Sequence, residues 1–399
     1  MKVNTQRLID RYIGTIICRI FSLYYRFIKK EPKPVEIKKI LIILLSEMGA
    51  LVLAYPMFQR LKEKVPGAVP HVMVFEKNRE VAELLGAVQP ENILTINDAS
   101  MAAFIKDTAG VLFGMRRIKF DAVIDCELFS RISSILAFLS GSALRVGFHP
   151  HTQEGLYRGN FINRPVLYNP YHHISRQFLT LVEAIDSDTH PKAKRRVSNK
   201  TLTIPTVKVG QKEIEIAKKK LYDTAPGVEG KKIVLIYPGG GLLPIRAWPL
   251  DYYCRLTAEM LNKGYAVCII GLADDKDVAK AILSHNRNQS CVDLTGYTRT
   301  IRELMIIFHF SALLITNDGG PGHFAAMTPI PSIIFYGPET PTLYGTMNEN
   351  AINFYLDFSC SPCVTAYNHR KSPCDGDNLC LKKINPDEVL TKALKILEG

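Results

Sequence analysis

Short, uninterrupted apolar runs alternate with longer amphipathic stretches along most of the chain. Lys39–Leu45, Ile233–Tyr237 and Ser311–Ile315 are such runs, and continuous apolar character is typical of strands buried on both faces of a parallel sheet. The stretches between them, such as Leu51–Lys64 and Tyr252–Asn262, carry apolar residues at helical spacing. This alternation of strand and helix predicts an α/β fold built on open, doubly wound parallel sheets.

The alternation is interrupted by a charged, unpatterned connector at Lys192–Lys200. Because 399 residues are too many for one ordinary core, we predict two sheet-containing domains, linked near residues 186–206. The predicted organisation is an N-terminal segment at 1–34, a first domain at 35–200, a second domain at 201–385 and a closing C-terminal helix at 386–399.

The N-terminal segment carries apolar residues at helical spacing from Ile9 to Phe27, with arginines and lysines on or beside the opposite face. Arg19 and Arg26 argue against a membrane-spanning helix, because a charge at mid-bilayer is costly, and no small-residue cleavage site of a signal peptide follows. A basic amphipathic helix of this kind would lie flat on an anionic membrane. The alternative is a helix that packs its apolar stripe on the protein's own core.

Composition and charge narrow the class of protein. With 47% hydrophobic and 22% charged residues, the chain is a folded globular protein rather than a disordered one. Of its net charge of +12, +7 lies in residues 1–39, which argues against a basic groove across the body and predicts no nucleic-acid partner. The sequence also lacks Walker A, His-Glu-x-x-His and Gly-x-Ser-x-Gly patterns, which speaks against those nucleotide-hydrolase, zinc-protease and serine-hydrolase classes.

The nine cysteines fall into two groups. Five are scattered through apolar surroundings, a usage typical of a reducing compartment, which predicts a cytoplasmic body. The other four lie in a loop-like C-terminal stretch that begins with a Cys-x-x-Cys pair at zinc-finger spacing. They predict a structural zinc site, with two disulfides or free thiols as alternatives. These four are Cys360, Cys363, Cys374 and Cys380.

Three glycine-containing stretches follow predicted strands. They are Leu44–Ala50, Tyr237–Gly241 with Arg246–Pro249 downstream, and Ile315–Met327. In the last, three glycines and a proline lie between a strand and a helix-compatible run, so free backbone N–H groups and a helix dipole can bind a diphosphate. The alternative is a tight turn of an ordinary α/β domain. In open parallel sheets ligands bind at the carboxyl ends of the strands, where all three stretches lie.

Together these stretches resemble the heptosyltransferase family of bacterial lipopolysaccharide synthesis, glycosyltransferase family 9, from about Ile40 to the C-terminus. Asn317–His323 is the most specific part of the likeness. The resemblance implies a GT-B fold, in which two Rossmann-like domains face each other across a cleft, with the acceptor on the first and the nucleotide-sugar donor on the second. It also implies an inverting transfer of heptose from ADP-heptose to a lipid-linked or lipopolysaccharide-core acceptor, without a metal or other cofactor. Such an enzyme would be peripheral on the cytoplasmic face of the inner membrane.

Sugar transfer requires that the leaving diphosphate be held and its charge balanced. Arg246 can supply a bidentate positive charge; family members commonly carry lysine there, and the alternative is a surface-loop arginine. Asp318 can orient the turn and the donor sugar, or form an Asx-turn or helix N-cap. His323 can touch phosphate or be structural. The remaining predicted donor-binding residues are Gly239, Gly240, Gly241, Trp248, Asp274, Gly319 and Gly320.

The general base departs from the family pattern. Family members typically carry an aspartate directly after the glycine of the first turn, and here that position is Ala50, which cannot accept a proton. We predict that Glu47, in the same turn, is the base. Alternatively, another carboxylate is the base, or the enzyme is catalytically impaired. In either case Glu47 is an exposed loop residue. The predicted acceptor-binding residues are Ser46, Gly49, Glu127 and Arg131.

Two other functions are compatible with this pattern. The GT-B fold also serves nucleotide-sugar epimerases. Ala50 would also fit a catalytically retired protein that binds a nucleotide sugar or acts as a scaffold at the membrane. Transfer of the sugar to an acceptor, rather than isomerisation or binding alone, distinguishes the predicted glycosyltransferase from both.

Overall fold

The chain forms two compact units, Met1–Thr203 and Ile204–Gly399, each built on one six-stranded sheet. This description comes from a computed structural model. The predicted fold class, two doubly wound parallel-sheet domains, is confirmed. The residues that the structure describes are 3–28, 36–45, 47–128, 130–148, 157–189, 192–197, 202–241, 243–365 and 371–399.

The first unit has its sheet strands in the order β3-β2-β1-β4-β5-β6, and all neighbours are parallel. The strands are β1 (Lys39–Ile43), β2 (Val69–Phe75), β3 (Ile93–Ile96), β4 (Ala122–Asp125), β5 (Leu144–Phe148) and β6 (Arg164–Val166). The helices are α1 (Val3–Ile9), α2 (Thr15–Ile28), α3 (Met48–Lys64), α4 (Arg79–Leu85), α5 (Met101–Ile118), α6 (Arg131–Leu139) and α7 (Ile174–Glu183), and a π-helical turn, Asp10–Gly14, joins α1 to α2.

The second unit repeats this order, as β12-β11-β10-β7-β8-β9, again with parallel neighbours. Its strands are β7 (Ile233–Tyr237), β8 (Ala266–Gly271), β9 (Cys291–Thr295), β10 (Leu313–Asn317), β11 (Ser332–Phe335) and β12 (Ala351–Phe354). Its helices are α8 (Gln211–Thr224), α9 (Leu250–Asn262), α10 (Lys276–His285), α11 (Ile301–Phe310), α12 (Gly320–Ala325), α13 (Pro341–Tyr344), α14 (Leu379–Lys382) and α15 (Pro386–Glu398).

In both sheets the strand order reverses direction at the centre, between β1 and β4 and between β7 and β10. The central strands are buried on both faces: Ile40–Ile43 of β1 and all of β7 and β10 are buried, which explains their uninterrupted apolar sequence. Fully burying one such isoleucine or leucine side chain contributes about 1.5–3 kcal/mol. In doubly wound sheets this reversal is the switch point, outside which ligands bind.

The N-terminal segment, residues 3–28, packs on the first unit with one face only. Its inner face, defined by Asp10, Gly14, Cys18, Ser22 and Tyr25, turns toward the domain: Cys18 and Tyr25 are buried in a cluster with Ile135 and Phe161. Its outer face is apolar and exposed, and comprises Leu8, Tyr12, Ile13, Ile16, Ile20, Leu23, Tyr24 and Phe27.

None of the helices in the described part of the chain combines the length and apolar character that crossing a bilayer requires. At the other end of the chain, α15 covers the second sheet. Its Val389, Ala393 and Leu397 are buried in the second unit's core, so this helix is an integral part of that core.

Candidate active site

A buried asparagine spans the switch point of the second sheet. Asn317, the last residue of β10, donates from its side-chain amide to the carbonyl oxygens of Pro238 (3.0 Å) and Gly239 (2.9 Å), which follow β7. Its side-chain oxygen accepts from the Trp248 backbone N–H (2.9 Å) and the Tyr253 hydroxyl (3.0 Å). One side chain thus fixes the second and third glycine-containing stretches to each other.

Arg246 joins these stretches to the next strand. It ends a 3-10 turn, Pro244–Arg246, and forms an ion pair with Glu339, which follows β11. Its Nε lies 3.6 Å from Oδ2 of Asp318, the residue after β10. The three side chains are almost completely buried, at 13%, 3% and 6% exposure, so the surface-loop alternative for Arg246 does not describe its place in the structure.

We call Arg246, Asp318 and Glu339 the acid–arginine cluster. With every group ionised it carries a net charge of −1, and its charges interact strongly because little water surrounds them. Tyr336 lies beside the cluster. Burial raises its pKa well above the ordinary value, and the charge of Asp318 adds to this shift, so Tyr336 remains a neutral phenol. The cluster combines one planar multiple donor with two carboxylate acceptors.

The sequence analysis did not select Glu339. The sequence feature that could have identified Glu339 is its position two residues after Gly337, in the turn that follows the apolar run Ser332–Tyr336. Carboxyl ends of neighbouring parallel strands meet at one edge of the sheet, and the acidic residue there could have been paired with Arg246 on that ground.

The glycines of the two turns have different roles. A Cβ on Gly240 would lie 2.7 Å from the Leu243 carbonyl oxygen, and Gly241 has a φ of +58°. The conformation of the turn after β7 therefore requires glycine at both positions. Among the described residues, a Cβ on Gly319 would meet only the Asn317 carbonyl oxygen, at 4.0 Å. The space beside Gly319 is therefore open toward a ligand.

Asp274 and Asp275, which follow Gly271, are the candidates for a carboxylate that holds ribose hydroxyls, and the structure brings Asp275 to this edge of the sheet. A Cβ on Gly239 would lie 2.6 Å from Asp275 Oδ1, and one on Gly271 would lie 2.8 Å from Asp275 Oδ2. Asp274, in contrast, is exposed. Burial raises the pKa of nearby Tyr237 to about 12, and the Asp275 charge contributes. Asp275 thus places a carboxylate at this edge of the sheet, and its binding of ribose hydroxyls stays a prediction.

Trp248 and His323 are both buried. The Trp248 ring stacks on Phe335 with centroids 4.5 Å apart, and its Nε1 donates to the Ile384 carbonyl oxygen (3.2 Å). Trp248 therefore supports the site from within the core, and its ring is not open to a ligand. His323 lies within the short helix α12, and its contact with phosphate stays a prediction.

Glu127 spans the switch point of the first sheet as Asn317 does in the second. Its Oε1 accepts from the Leu45 backbone N–H (2.7 Å) beyond the end of β1. Asn78, another residue that the sequence analysis did not select, donates to the Leu45 carbonyl oxygen (2.6 Å). The turn that carries Glu47 is thus held at its root by two buried side chains.

Glu47 immediately precedes α3, is half-buried and makes no N-cap hydrogen bond with its side chain. Gly49 and Ala50 lie in the first turn of α3. Ser46 lies outside the described residues. The structure therefore places the predicted base at the carboxyl end of β1, and its catalytic role stays a prediction.

Two buried ion pairs follow β4. Arg158 pairs with Asp125, the last residue of β4; burial raises the pKa of Asp125, and the Arg158 guanidinium opposes that shift. Arg131, the first residue of α6, is buried and its Nη1 lies 3.3 Å from Asp10 Oδ2 in the N-terminal segment. Arg131 is thus bound to the N-terminal segment, and its predicted contact with an acceptor is not tested by this geometry.

The C-terminal cysteines lie near one another. Cys363 Sγ is 3.1 Å from Ser372 Oγ, which also accepts from the Cys374 backbone N–H (3.0 Å). Burial raises the pKa of Cys380 to about 11, and Cys363, Cys360 and Cys374 contribute to the shift. No disulfide links any of the nine cysteines. Within the described ranges no three His, Cys, Asp or Glu side chains are grouped closely enough to hold a metal ion.

Two parallel sheets with 3-2-1-4-5-6 strand order and polar clusters at their switch points define a protein of two Rossmann-like domains. The family model of glycosyltransferase family 9 (heptosyltransferase) matches residues 113–372. The chain belongs to this family and is a glycosyltransferase.

Individual relatives agree with this assignment. The chain is 24% identical over 320 residues to lipooligosaccharide heptosyltransferase 2 of Haemophilus ducreyi, a match that covers 79% of this chain and 87% of the relative. Two solved structures share the fold with a TM-score of 0.70: the Escherichia coli ADP-heptose lipopolysaccharide heptosyltransferase II, 19% identical over 90% of this chain and 98% of that one, and a glycosyltransferase family 9 protein of Veillonella parvula, 18% identical over 92% and 99%. These neighbours confirm the predicted GT-B fold.

Proposed function

We propose that this glycosyltransferase moves heptose from ADP-heptose to a lipopolysaccharide-core acceptor, with inversion at the anomeric carbon and without a metal ion in the chemistry. The names of the relatives support the donor and the acceptor: one is an ADP-heptose lipopolysaccharide heptosyltransferase and another a lipooligosaccharide heptosyltransferase. The observation that carries the proposal is the buried acid–arginine cluster beside the glycine turns that follow β7 and β10.

Arg246 is the group that balances the departing diphosphate. A guanidinium offers five N–H donors in a plane, so it can keep Glu339 as a partner while it turns other donors to phosphate oxygens. Asp318 and Glu339 accept hydrogen bonds from hydroxyl groups of the donor, because ionised carboxylates only accept. A cluster of one guanidinium donor and two carboxylate acceptors matches a ligand that carries both phosphate oxygens and hydroxyl groups, as a nucleotide sugar does.

On the acceptor side, Glu47 is the proposed general base. The acceptor oxygen forms a bond to the anomeric carbon, the bond from that carbon to the diphosphate breaks, and Glu47 takes the hydroxyl proton. Its place at the carboxyl end of β1, on a turn fixed by Glu127 and Asn78, supports this role, because a base must be held within hydrogen-bond reach of its proton.

Calorimetric titration with ADP-heptose tests the donor site. Arg246→Ala should weaken binding roughly 10- to 100-fold, because hydrogen bonds to charged groups contribute about 1.5–3 kcal/mol. Arg302→Ala is the matched control: Arg302 also pairs with a carboxylate, Glu213, but at the surface, and should bind ADP-heptose as the wild type does. Wild-type affinity in Arg246→Ala would refute the donor site.

Turnover tests the base. Glu47→Gln should keep ADP-heptose affinity and lose about 10²–10⁴-fold in transfer rate, the usual contribution of general-base catalysis. A wild-type protein that binds ADP-heptose but transfers it to no lipopolysaccharide acceptor would instead favour the retired, membrane-bound nucleotide-sugar-binding protein that Ala50 also allows.

We also propose that the protein is peripheral on the cytoplasmic face of the inner membrane, held there by the outer face of its N-terminal segment. Soluble monomers rarely expose contiguous apolar patches of this kind, and Phe27 is 80% exposed. Exposed arginines flank the patch, and each contributes about 1 kcal/mol near an anionic lipid surface. These are Arg7, Arg11, Arg19 and Arg26.

Co-sedimentation with vesicles of anionic and zwitterionic phospholipid tests this membrane contact. The double variant Leu23→Ser/Phe27→Ser should lose binding to anionic vesicles. Ile216→Ser, which removes another exposed apolar side chain from α8 of the second unit, is the control and should sediment like the wild type. Equal sedimentation of the double variant and the wild type would refute the contact.

For the C-terminal cysteines we propose a structural zinc ion. The support is their convergence: Cys363 and Cys374 share Ser372, and the Cys380 sulfur lies against Gly337. The four sulfur atoms would have to draw closer to coordinate a metal at the Zn–S distance of about 2.3 Å. Metal analysis should find about one zinc per chain, lost in Cys363→Ser, whereas metal-free protein with reactive thiols would refute the proposal.

A further inference from the structure

The inner face of the N-terminal segment is attached by specific polar contacts as well as by apolar packing. Ser22 Oγ accepts from the Tyr157 hydroxyl (2.7 Å) and from the Asn160 backbone N–H (2.9 Å). Gln6 Nε2 donates to Asp98 Oδ2 (3.2 Å). Such directional contacts fix the segment in one position along the domain, which apolar contacts alone would not do.

The most consequential contact is made by Asp10. Its Oδ1 accepts from the backbone N–H groups of Arg131 (2.8 Å) and Ile132 (2.9 Å), which begin α6. The N-cap residue of α6, Ser130, makes no capping hydrogen bond with its side chain. Asp10 therefore caps this helix from a distant part of the chain, and its negative charge suits the positive end of the helix dipole.

The local backbone is shaped for this contact. Asp10 begins the π-helical turn that ends at Gly14, and such turns often occur at functional sites. A Cβ on Gly14 would lie 3.0 Å from the Arg131 Cβ, so glycine allows the segment to approach the first turn of α6 closely. The same Arg131 pairs through its guanidinium with Asp10.

The capped end of α6 is connected directly to the switch point of the first sheet. The chain runs from Asp125 at the end of β4 through Glu127, which holds Leu45, to Arg131. One end of this short link is therefore fixed at the switch point and the other end is fixed by the N-terminal segment.

We propose that Asp10 is a positioning residue that couples the membrane-binding segment to the acceptor side of the first domain. By capping α6 and holding Arg131, it orders the first turn of α6, which begins four positions after Glu127, when the outer face binds a membrane. This inference rests on the proposed acceptor site and membrane contact, and it assigns the inner and outer faces separate functions.

Hydrogen exchange tests the coupling without relying on activity. Peptides covering the first turn of α6 should exchange at least 10-fold faster in Asp10→Ala than in the wild type, because two capped N–H groups lose their acceptor. Ser22→Ala is the control: Ser22 lies on the same face but accepts from Tyr157 and Asn160 rather than from the first turn of α6, so this substitution should leave that turn unchanged. Anionic vesicles should slow exchange of the turn in the wild type and not in Asp10→Ala. Unchanged exchange in Asp10→Ala, or no effect of vesicles on the wild type, would overturn the coupling.

Kinetics test the positioning role. With lipopolysaccharide in anionic vesicles as acceptor, Asp10→Ala should raise the acceptor KM about 10-fold and leave the KM for ADP-heptose and kcat unchanged. Asp10→Asn, which keeps a capping oxygen but loses the charge, should recover part of this loss. An unchanged acceptor KM in Asp10→Ala would overturn the positioning role. A wild type that transfers no heptose would refute the proposed function, while the exchange results would still decide the coupling.

Discussion

Asn317→Ala removes the side chain that joins the two turns at the second switch point. It deletes four hydrogen bonds, two to carbonyl oxygens and one each to a backbone N–H and a hydroxyl. At about 0.5–1.5 kcal/mol each, their loss amounts to about 2–6 kcal/mol. The upper part of this range is expected, because Pro238, Gly239, Trp248 and Tyr253 are all buried and water does not readily replace the lost partner.

Thermal and denaturant unfolding measure this loss. For a domain of this size, 2–6 kcal/mol corresponds to a fall in Tm of about 4–20 °C for the transition of the second unit. Native ADP-heptose affinity should also be lost in whatever fraction remains folded, since Asn317 sets the spacing between the Gly239 turn and Asp318. Asn317→Ala should therefore change both the unfolding free energy of the second unit and its affinity for ADP-heptose.

Asn286→Ala is the matched control for this prediction. Asn286 is also buried in the second unit and donates to two carbonyl oxygens, those of Cys254 and Ile282, but it lies away from the turns. It should lose about half as much stability and bind ADP-heptose normally. An unfolding free energy of Asn317→Ala within 1 kcal/mol of the wild type, with unaltered donor affinity, would refute the argument that this residue organises the site.

Three further predictions concern single contacts. Glu339→Gln should weaken ADP-heptose binding roughly 10-fold by calorimetry, because Arg246 loses a buried charged partner; unchanged affinity would exclude Glu339 from the site. Gly240→Ala should destabilise the second unit by more than 1 kcal/mol in urea, because its Cβ would lie 2.7 Å from a carbonyl oxygen. After any bound metal is removed with a chelator, iodoacetamide at pH 8 should modify exposed Cys360 and Cys374 first. Cys268 should react only after unfolding, since burial raises its pKa to about 12 and the thiolate forms only at higher pH; early reaction of Cys268 would contradict its burial.

The central strands could be predicted from the sequence and most edge strands could not. β1, β4, β7 and β10 are buried on both faces and read as continuous apolar runs. The apolar runs predict strands near β1, β2, β4, β5, β7, β8, β9, β10 and β11, and the three strands not predicted, β3, β6 and β12, are all at the edges of their sheets. An edge strand has one neighbour and partial exposure, so its sequence carries a weaker apolar signal; β6, for example, contains Arg164 and Pro165.

The site was predictable as three turns but not as a set of contacts. The glycine motifs located the strand ends, and Arg246 and Asp318 do come together there. Glu339 and Asn78 were missed because their partners are remote in sequence: Arg246 and Glu339 are separated by 93 positions. Which acidic or amide side chain crosses to a neighbouring strand depends on strand order, and no local pattern encodes that order.

The N-terminal segment shows why two interpretations of one pattern were posed as alternatives. Helical spacing of apolar residues indicates one buried stripe, so the sequence suggested either packing on the protein or contact with a membrane. The structure separates two stripes on the same helix. The inner one combines buried Cys18 and Tyr25 with small and polar residues such as Gly14 and Ser22, which allow close approach. Such a mixed composition is difficult to distinguish from a solvated face.

Both switch points present the same physical problem and solve it with different side chains. Where the strand order reverses, the segments that follow the two central strands turn to opposite faces of the sheet. Their first backbone N–H and C=O groups therefore lack the hydrogen-bond partners that a neighbouring strand would provide. In the first sheet the group to be satisfied is the Leu45 N–H, and the carboxylate of Glu127 accepts from it. In the second sheet it is the pair of carbonyl oxygens of Pro238 and Gly239. An amide side chain suits this position, because the Asn317 NH2 group donates to both carbonyls while its oxygen accepts from Trp248 and Tyr253. The backbone group without a strand partner, a donor in the first sheet and two acceptors in the second, thus determines the type of side chain at each reversal. Because aspartate cannot donate to the two carbonyl oxygens, Asn317→Asp should be no more stable than Asn317→Ala.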